Sequence, residues 1–162
     1  MTEVQVVPQS SMSADVVSGV AQFLGPVVVD LTALAVDGKQ AHWHVRGANF
    51  QAVHELLDEV VEHAHDYADT AAERVVALGL PLDVRIQTVG AKATTPALTP
   101  GFQQSNTVIG QIIASIDATL VTVRTAVDEL AELDAVSQDV AIEIARGLEK
   151  DRWFLFAHLA TK

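Results

Sequence analysis

The sequence predicts an all-α fold, a four-helix bundle with one long crossover between its second and third helices. Three observations carry this reading. Apolar residues recur at three- and four-residue intervals along four long stretches, and no stretch of useful length alternates as a strand would. Helix-breaking residues concentrate in one interval, 80–102, which is rich in Pro, Thr and Gly. Hydrophobic residues make up 49% of the 162-residue chain and aromatics only 5%, so Ala, Val and Leu must do the packing, which suits close helix-on-helix contact. That length fits one domain with a real core.

Residues 1–12 are small and polar and read as a flexible tail, leaving 13–162 as a single domain. Ser13 is a candidate N-cap for a short helical lead-in carrying Val16, Val17, Val20, Phe23 and Leu24. Gly25-Pro26 should break and restart the pattern, because proline suits a first helical position. A first long helix is then expected from Pro26 to about Val45. Arg46-Gly47-Ala48-Asn49 reads as a turn with Asn49 as the next N-cap. The second helix should run from Asn49 to Leu78, stopped by Gly79 and Pro81. Within the crossover, Asp83–Val89 has room for a turn or two of helix. The third helix fits Gln103 to about Leu133 and the fourth fits Ser137 to Ala160.

The segment Val16–Val36 has about the length of a membrane span. Asp30 lies inside it, Asp15 and Asp37 flank it, and no Lys or Arg precedes Lys39. A span tolerates a central aspartate poorly and a signal peptide needs a basic leader, so the segment reads as a buried helix. The formal charge of −11 argues against a dedicated nucleic-acid surface. The absence of cysteine excludes disulfides and thiolate chemistry, and fits a reducing cytoplasm.

The second helix holds the chemistry. Between Arg46 and Arg74 there are seven carboxylates and three of the six histidines, with no Lys or Arg. On a helical projection Leu57, Val60, Ala64, Ala68 and Val75 form the core face, while His54, Asp58, His65, Asp69 and Glu73 share its flank within about 100°. His54/Asp58 and Asp69/Glu73 are each spaced i, i+4. Asp58 and Asp69 are separated by a rise of about 16 Å, so one chain cannot bring them to one ion.

The midpoint of 54 and 73, however, coincides with that of 58 and 69, between His63 and Ala64. A two-fold axis there would set His54 opposite Glu73 of a mate and Asp58 opposite the mate's Asp69, a self-complementary pairing. Two equivalent sites per pair of chains follow. Each would gather carboxylates whose mutual repulsion a divalent metal relieves. Carboxylate with imidazole suits iron, manganese or zinc better than copper(I). The alternative is a solvated charged stripe or a bare interface. His63 reads as exposed, and His65 as an interface or supporting residue near the axis. His44 reads as a surface side chain near a loop, and His158 as lying on the last helical turn.

The run Lys39-Gln-Ala-His-Trp-His-Val-Arg-Gly-Ala-Asn-Phe50, with His54, Asp58, Asp69, Ala72-Glu73-Arg74 and Leu78-Gly79, strongly resembles the Dps family of mini-ferritins. The likeness extends more loosely to Glu149-Lys-Asp-Arg-Trp153-Phe. It implies a ferritin-like four-helix bundle assembled as a hollow dodecamer. It also implies ferroxidase sites at the two-fold interfaces, with His42, His54 and Asp58 from one chain and Asp69 and Glu73 from its mate serving as both catalytic residues and iron ligands. The implied activity is oxidation of Fe(II) by hydrogen peroxide and storage of the ferric product, with iron at a mono- or di-iron centre.

By the same resemblance Trp43 and Trp153 sit near the iron; as sequence alone they read as core or interface aromatics. Asp134, Asp139 and Glu143 form a candidate iron-entry pore, against the simpler reading of acids favouring a helix dipole. The family also implies a cytoplasmic, nucleoid-associated protein that binds DNA, which is the alternative function. Residues 1–38 carry neither Lys nor Arg, so the basic tail that many relatives use for DNA is missing.

Overall fold

A computed structural model describes residues 9–159. Its long helices are α1 (Ala14–His44), α2 (Phe50–Ala77), α4 (Ser105–Leu130) and α5 (Ala135–Leu159), with a short α3 (Ile86–Lys92) in the crossover. Two-residue strands β1 (Val45–Arg46) and β2 (Gln103–Gln104) pair in parallel, too briefly to leave an alternating pattern. The hairpins α1–α2 and α4–α5 meet chiefly through α1 and α4, while α2 and α5 meet more sparsely. The expected four-helix bundle with a long second crossover is what the chain forms. Residues 1–8 of the expected tail, and Ala160 at the expected end of the last helix, lie outside the described residues.

Ser13 caps α1 as expected, accepting from the Val16 N–H. The expected break at Gly25-Pro26 does not occur, and α1 runs unbroken through both residues. Proline in a helix interior costs about 3 kcal/mol. Leu24, Val27, Val28 and Leu31 on either side are all buried in the core, and each contributes about 1.5–3 kcal/mol by leaving water. Gly25 also presents no Cβ to the proline ring. Burial outweighs the lost hydrogen bond.

The second helix keeps its expected bounds to within a residue, by different local means at its two ends. Asn49 precedes α2 in the left-handed region (φ 57°), and its side chain makes no capping bond. At the other end Gly79 (φ 98°) allows its own N–H to reach the Val76 carbonyl at 2.9 Å and the Leu80 N–H to reach Val75 at 3.4 Å. This is the six-to-one, five-to-two closure that glycine favours after a helix. The third long helix begins two residues late because Gln103 and Gln104 are taken by β2. It ends at Leu130, whose carbonyl accepts from both Leu133 and Asp134. Asp134 then caps α5 by accepting from the Ser137 N–H at 2.9 Å, so that helix starts before Ser137.

The core is aliphatic. Leu24, Leu31, Leu34, Leu57, Ile109, Ile112, Ile116, Ile144 and Leu148 are among its largest enclosed side chains, and among the described residues no Trp or Phe is buried. Two helices, α1 and α4, are long and apolar enough to cross a membrane, and both supply the centre of this bundle. Asp30, 1% exposed, explains how a carboxylate survives inside α1. It accepts from the Thr94 N–H and hydroxyl at 2.7 Å each and from the Thr122 hydroxyl at 2.6 Å. One buried anion therefore ties the crossover to α1 and α4.

Removing that anchor separates local from global effects. Asp30→Ala should cost about 3 kcal/mol by stranding buried donors, and Leu57→Ala about 2–5 kcal/mol by opening a cavity, both read by denaturant unfolding. Only Asp30→Ala should also speed limited proteolysis within residues 93–102.

Candidate metal centre

The last turn of α1 and the first turn of α2 bring His42 and His54 together. Their rings stack with centroids 3.6 Å apart. His42 Nδ1 lies 2.8 Å from the His54 carbonyl, and His54 Nδ1 lies 2.9 Å from the His42 carbonyl. A carbonyl oxygen can only accept, so each Nδ1 must carry the proton. In the neutral ring each Nε2 is then a bare lone pair, the form a metal takes. The arrangement also resolves a local problem. The His42 carbonyl is among the final acceptors of α1, which lack helical partners. Phe50 stacks on the other side of His54 at 5.2 Å.

One turn further, Asp58 Oδ1 lies 3.5 Å from His42 Nδ1 and is bound by the Lys39 ammonium. That hydrogen bond holds the Asp58 carboxyl below its usual pKa, with His42 and His54 adding to the pull against a smaller desolvation. His42, His54, Asp58 and Lys39 thus come together as one of the two expected half-sites. Asp69 and Glu73, the other expected pair, are exposed on the same helix and without an ion pair or side-chain hydrogen bond among the described residues. The halves do not meet. Among the described residues no three His, Asp or Glu side chains converge closely enough to hold an ion. His65 is exposed on the same flank.

The remaining candidates divide. Trp43 is 62% exposed and Trp153 64%, which overturns a core role for either in this chain; Trp153 sits edge-on to Phe154. Asp139 and Glu143 are exposed on α5. Asp134 is not free in the same way. Its carboxylate accepts from the Ser137 backbone and hydroxyl and from Arg74 Nη2 at 2.7 Å, while Arg74 Nε donates to the Ser137 hydroxyl. Burial works to raise its pKa, but Ser137 and Arg74 together carry it below the usual range. Capping and pairing occupy the acid that the pore reading placed beside Asp139 and Glu143. His44 is half-buried, bonded to the Gln40 carbonyl and tilted against Phe102, and His158 lies in the last turn of α5.

His63 corrects the expectation of an exposed side chain. It is half-buried, and its Nδ1 lies 2.9 and 3.1 Å from the oxygens of Asp151, itself 3% exposed. The sequence held a signal for this pair. Asp151 falls in phase with Ile144, Leu148 and Leu155 on the apolar stripe of α5, and a carboxylate on a core stripe needs a partner.

Burial raises the Asp151 pKa, and His63 opposes it only in part. A raised carboxyl pKa means that the folded state holds its proton more tightly than the unfolded chain. The associated stability is complete below the unfolded pKa and is lost as pH rises through the folded one. Asp151→Asn keeps an acceptor for His63 without the buried charge. It should unfold at a higher temperature than wild type at pH 8, the gap closing toward pH 4 in thermal melts.

Residues 24–162 match the ferritin-like domain family. The chain is similar to the DNA protection during starvation protein of Agrobacterium fabrum, 30% identical over 155 residues covering 95% of this chain and 96% of that one. It is 32% identical to the protein of that name from Mycolicibacterium smegmatis, over 88% of this chain and 78% of the other. Among solved structures, the Dps of Microbacterium arborescens in its high iron form is 58% identical with a TM-score of 0.91, covering 94% of this chain and 99% of that one.

Proposed function

Because the chain belongs to the Dps family of ferritin-like proteins, we propose that it oxidises Fe(II) with hydrogen peroxide at sites shared between two copies and stores the product in a hollow shell of twelve. The observation that carries this reading is the division of ligand-type residues into two half-sites on one helix, equidistant from a common point and each insufficient alone. The high iron form in which the Microbacterium arborescens relative was solved supports iron as the ion.

Iron is the substrate here. Two Fe(II) deliver two electrons to one peroxide, the O–O bond breaks, and two Fe(III) and two waters result once two protons are taken up. Delivering both electrons together avoids a free hydroxyl radical. Hard carboxylate oxygens favour the ferric product, and the bonded Nδ1 atoms leave the two Nε2 lone pairs free to act as ligands. Lys39 offsets the charge of Asp58 while no metal is present and must yield it when iron arrives. In this reading Trp43 and Trp153, both exposed, take up stray oxidising equivalents near the iron. Asp139 and Glu143 are the remaining acids of the entry route. A cytoplasmic location belongs to the same reading, since a chain without cysteine suits a reducing compartment.

Complementation tests the shared site directly. A His54→Ala/Asp58→Ala chain and an Asp69→Ala/Glu73→Ala chain should each assemble yet oxidise Fe(II) slowly with peroxide. Random co-assembly makes half of the pairs mixed, and each mixed pair restores one complete site of its two, so activity should return to about a quarter of that of wild type. Ferric absorbance reads the rate. Activity in either variant alone, or none in the mixture, sinks the assignment.

The relatives' names raise DNA protection as the alternative. Twelve chains of charge −11 repel a polyanion, so protection here proceeds by removing iron and peroxide rather than by coating DNA. A gel shift at low and moderate salt should show no retained duplex; a salt-insensitive complex would overturn the electrostatic argument.

A further inference from the structure

Arg74 donates to three groups where the end of α2 meets the turn between α4 and α5. Its Nε reaches the Ser137 hydroxyl at 2.9 Å, and its Nη2 reaches the Asp134 carboxylate at 2.7 Å. Nη2 also faces the sulfur of Met12, 3.9 Å away. A thioether is a weak acceptor. The Arg74 side chain is only 21% exposed, so one of its donors is poorly matched in a place where water compensates little.

The sulfur is held in position by the chain around it. Met12 stands just before Ser13, the N-cap of α1, where an apolar side chain packs back on the first turns of the helix. Its own N–H donates to the Ser10 hydroxyl at 3.1 Å, and its side chain rests against the edge of the core. It is half-buried, so a small solute in water can reach it.

A reachable thioether is attacked by hydrogen peroxide, the oxidant of the proposed function. A sulfur lone pair attacks one peroxide oxygen, an S–O bond forms and the O–O bond breaks. The proton of the transferred hydroxyl passes to the departing hydroxide, which leaves as water. Sulfur loses two electrons and peroxide gains them, so no metal and no further reductant are needed. Inside a core the new oxygen is harmful, because it makes an apolar side chain polar. At Met12 it meets a cation. One S–O bond spans well under half of the 3.9 Å between sulfur and Nη2, so an oxygen on that side comes within hydrogen-bonding reach with neither group displaced.

We propose that Met12 is a peroxide-modification site whose sulfoxide oxygen is bound by Arg74, so that oxidation tightens the fold instead of loosening it. Arg74 follows Glu73, and the strengthened joint anchors the end of α2 on which that residue stands. Hydrogen peroxide is taken from the proposed function, but the shared metal site has no part in the step, and metal-free protein keeps the two apart.

Peptide mass spectrometry and thermal melts of metal-free protein, before and after treatment with hydrogen peroxide, test this. The peptide carrying Met12 should gain one oxygen atom. The modified wild type should melt about 2–4 °C higher, the shift of one added hydrogen bond in a chain of this size. Met12→Leu should show no rise. Met12→Gln, whose amide oxygen stands in for the sulfoxide, should melt above wild type before any peroxide is added. A Met12 that stays unmodified while peptides holding Trp43 or Trp153 gain oxygen overturns the site. A modified wild type that melts no higher, or a rise that Met12→Leu shares, overturns the bond to Arg74. None of these outcomes touches Fe(II) oxidation, which the complementation of half-site variants reads separately.

Discussion

A helix cannot bend back on itself within a few turns, and the arrangement of this protein depends on that rigidity. Four ligand-type side chains stand on one flank of α2 in two groups that its rise holds apart. Packing them on four different helices would have closed a site inside a single bundle, in the manner of di-iron carboxylate bundles. On the proposed reading, placing them on one helix makes completion a property of assembly. The isolated chain then gathers too few carboxylates at any one point to suffer the repulsion that a finished, metal-free site would impose.

Keeping α2 straight and correctly placed is the task of contacts on its other sides. At its start the reciprocal bonds of His42 and His54 lock α1 and α2 together through their main chains. Near its middle His63 reaches Asp151 of α5. At its end Arg74, the residue after Glu73, docks on the turn between α4 and α5 through Asp134 and Ser137. Between the last two, the Tyr67 hydroxyl lies so close to Gly147 that a Cβ there would come within 1.9 Å of it. Glycine at 147 lets α5 approach where the α2–α5 seam is otherwise sparse. The His63, Tyr67 and Arg74 contacts leave the side chains of Asp58, Asp69 and Glu73 untouched, while His54 makes its bond through Nδ1 and keeps Nε2 free.

The bundle was legible because period-3.6 burial is a local pattern, and four long stretches repeat it. The spacing of the half-sites was legible for the same reason. What escaped was decided by something outside the local window. Gly25-Pro26 obeys a breaking rule in isolation, yet core side chains on both sides carry α1 across it. Asn49 has the chemistry of a cap and adopts a left-handed turn without making the capping bond. His63 looked exposed because its partner lies 88 residues away. The tautomers of His42 and His54 depend on main-chain carbonyls, which no side-chain pattern records. Asp134 read as a pore acid or a helix-dipole acid, and its partner Arg74, 60 residues earlier, could not be placed beside it.

The aliphatic core has a chemical consequence for a protein proposed to work with peroxide. Thioethers, thiols and electron-rich rings are the side chains such oxidants attack first. This chain has no cysteine, and its two methionines both precede α1. Met12 touches only the margin of the core, and no Trp or Phe is enclosed in it. The Leu, Ile, Val and Ala side chains that hold the bundle together offer no sulfur and no ring to oxidise. Oxidative damage would therefore fall first on the surface, sparing the packing that keeps α2 straight. Durability is thus written into the same composition that first suggested close helix packing.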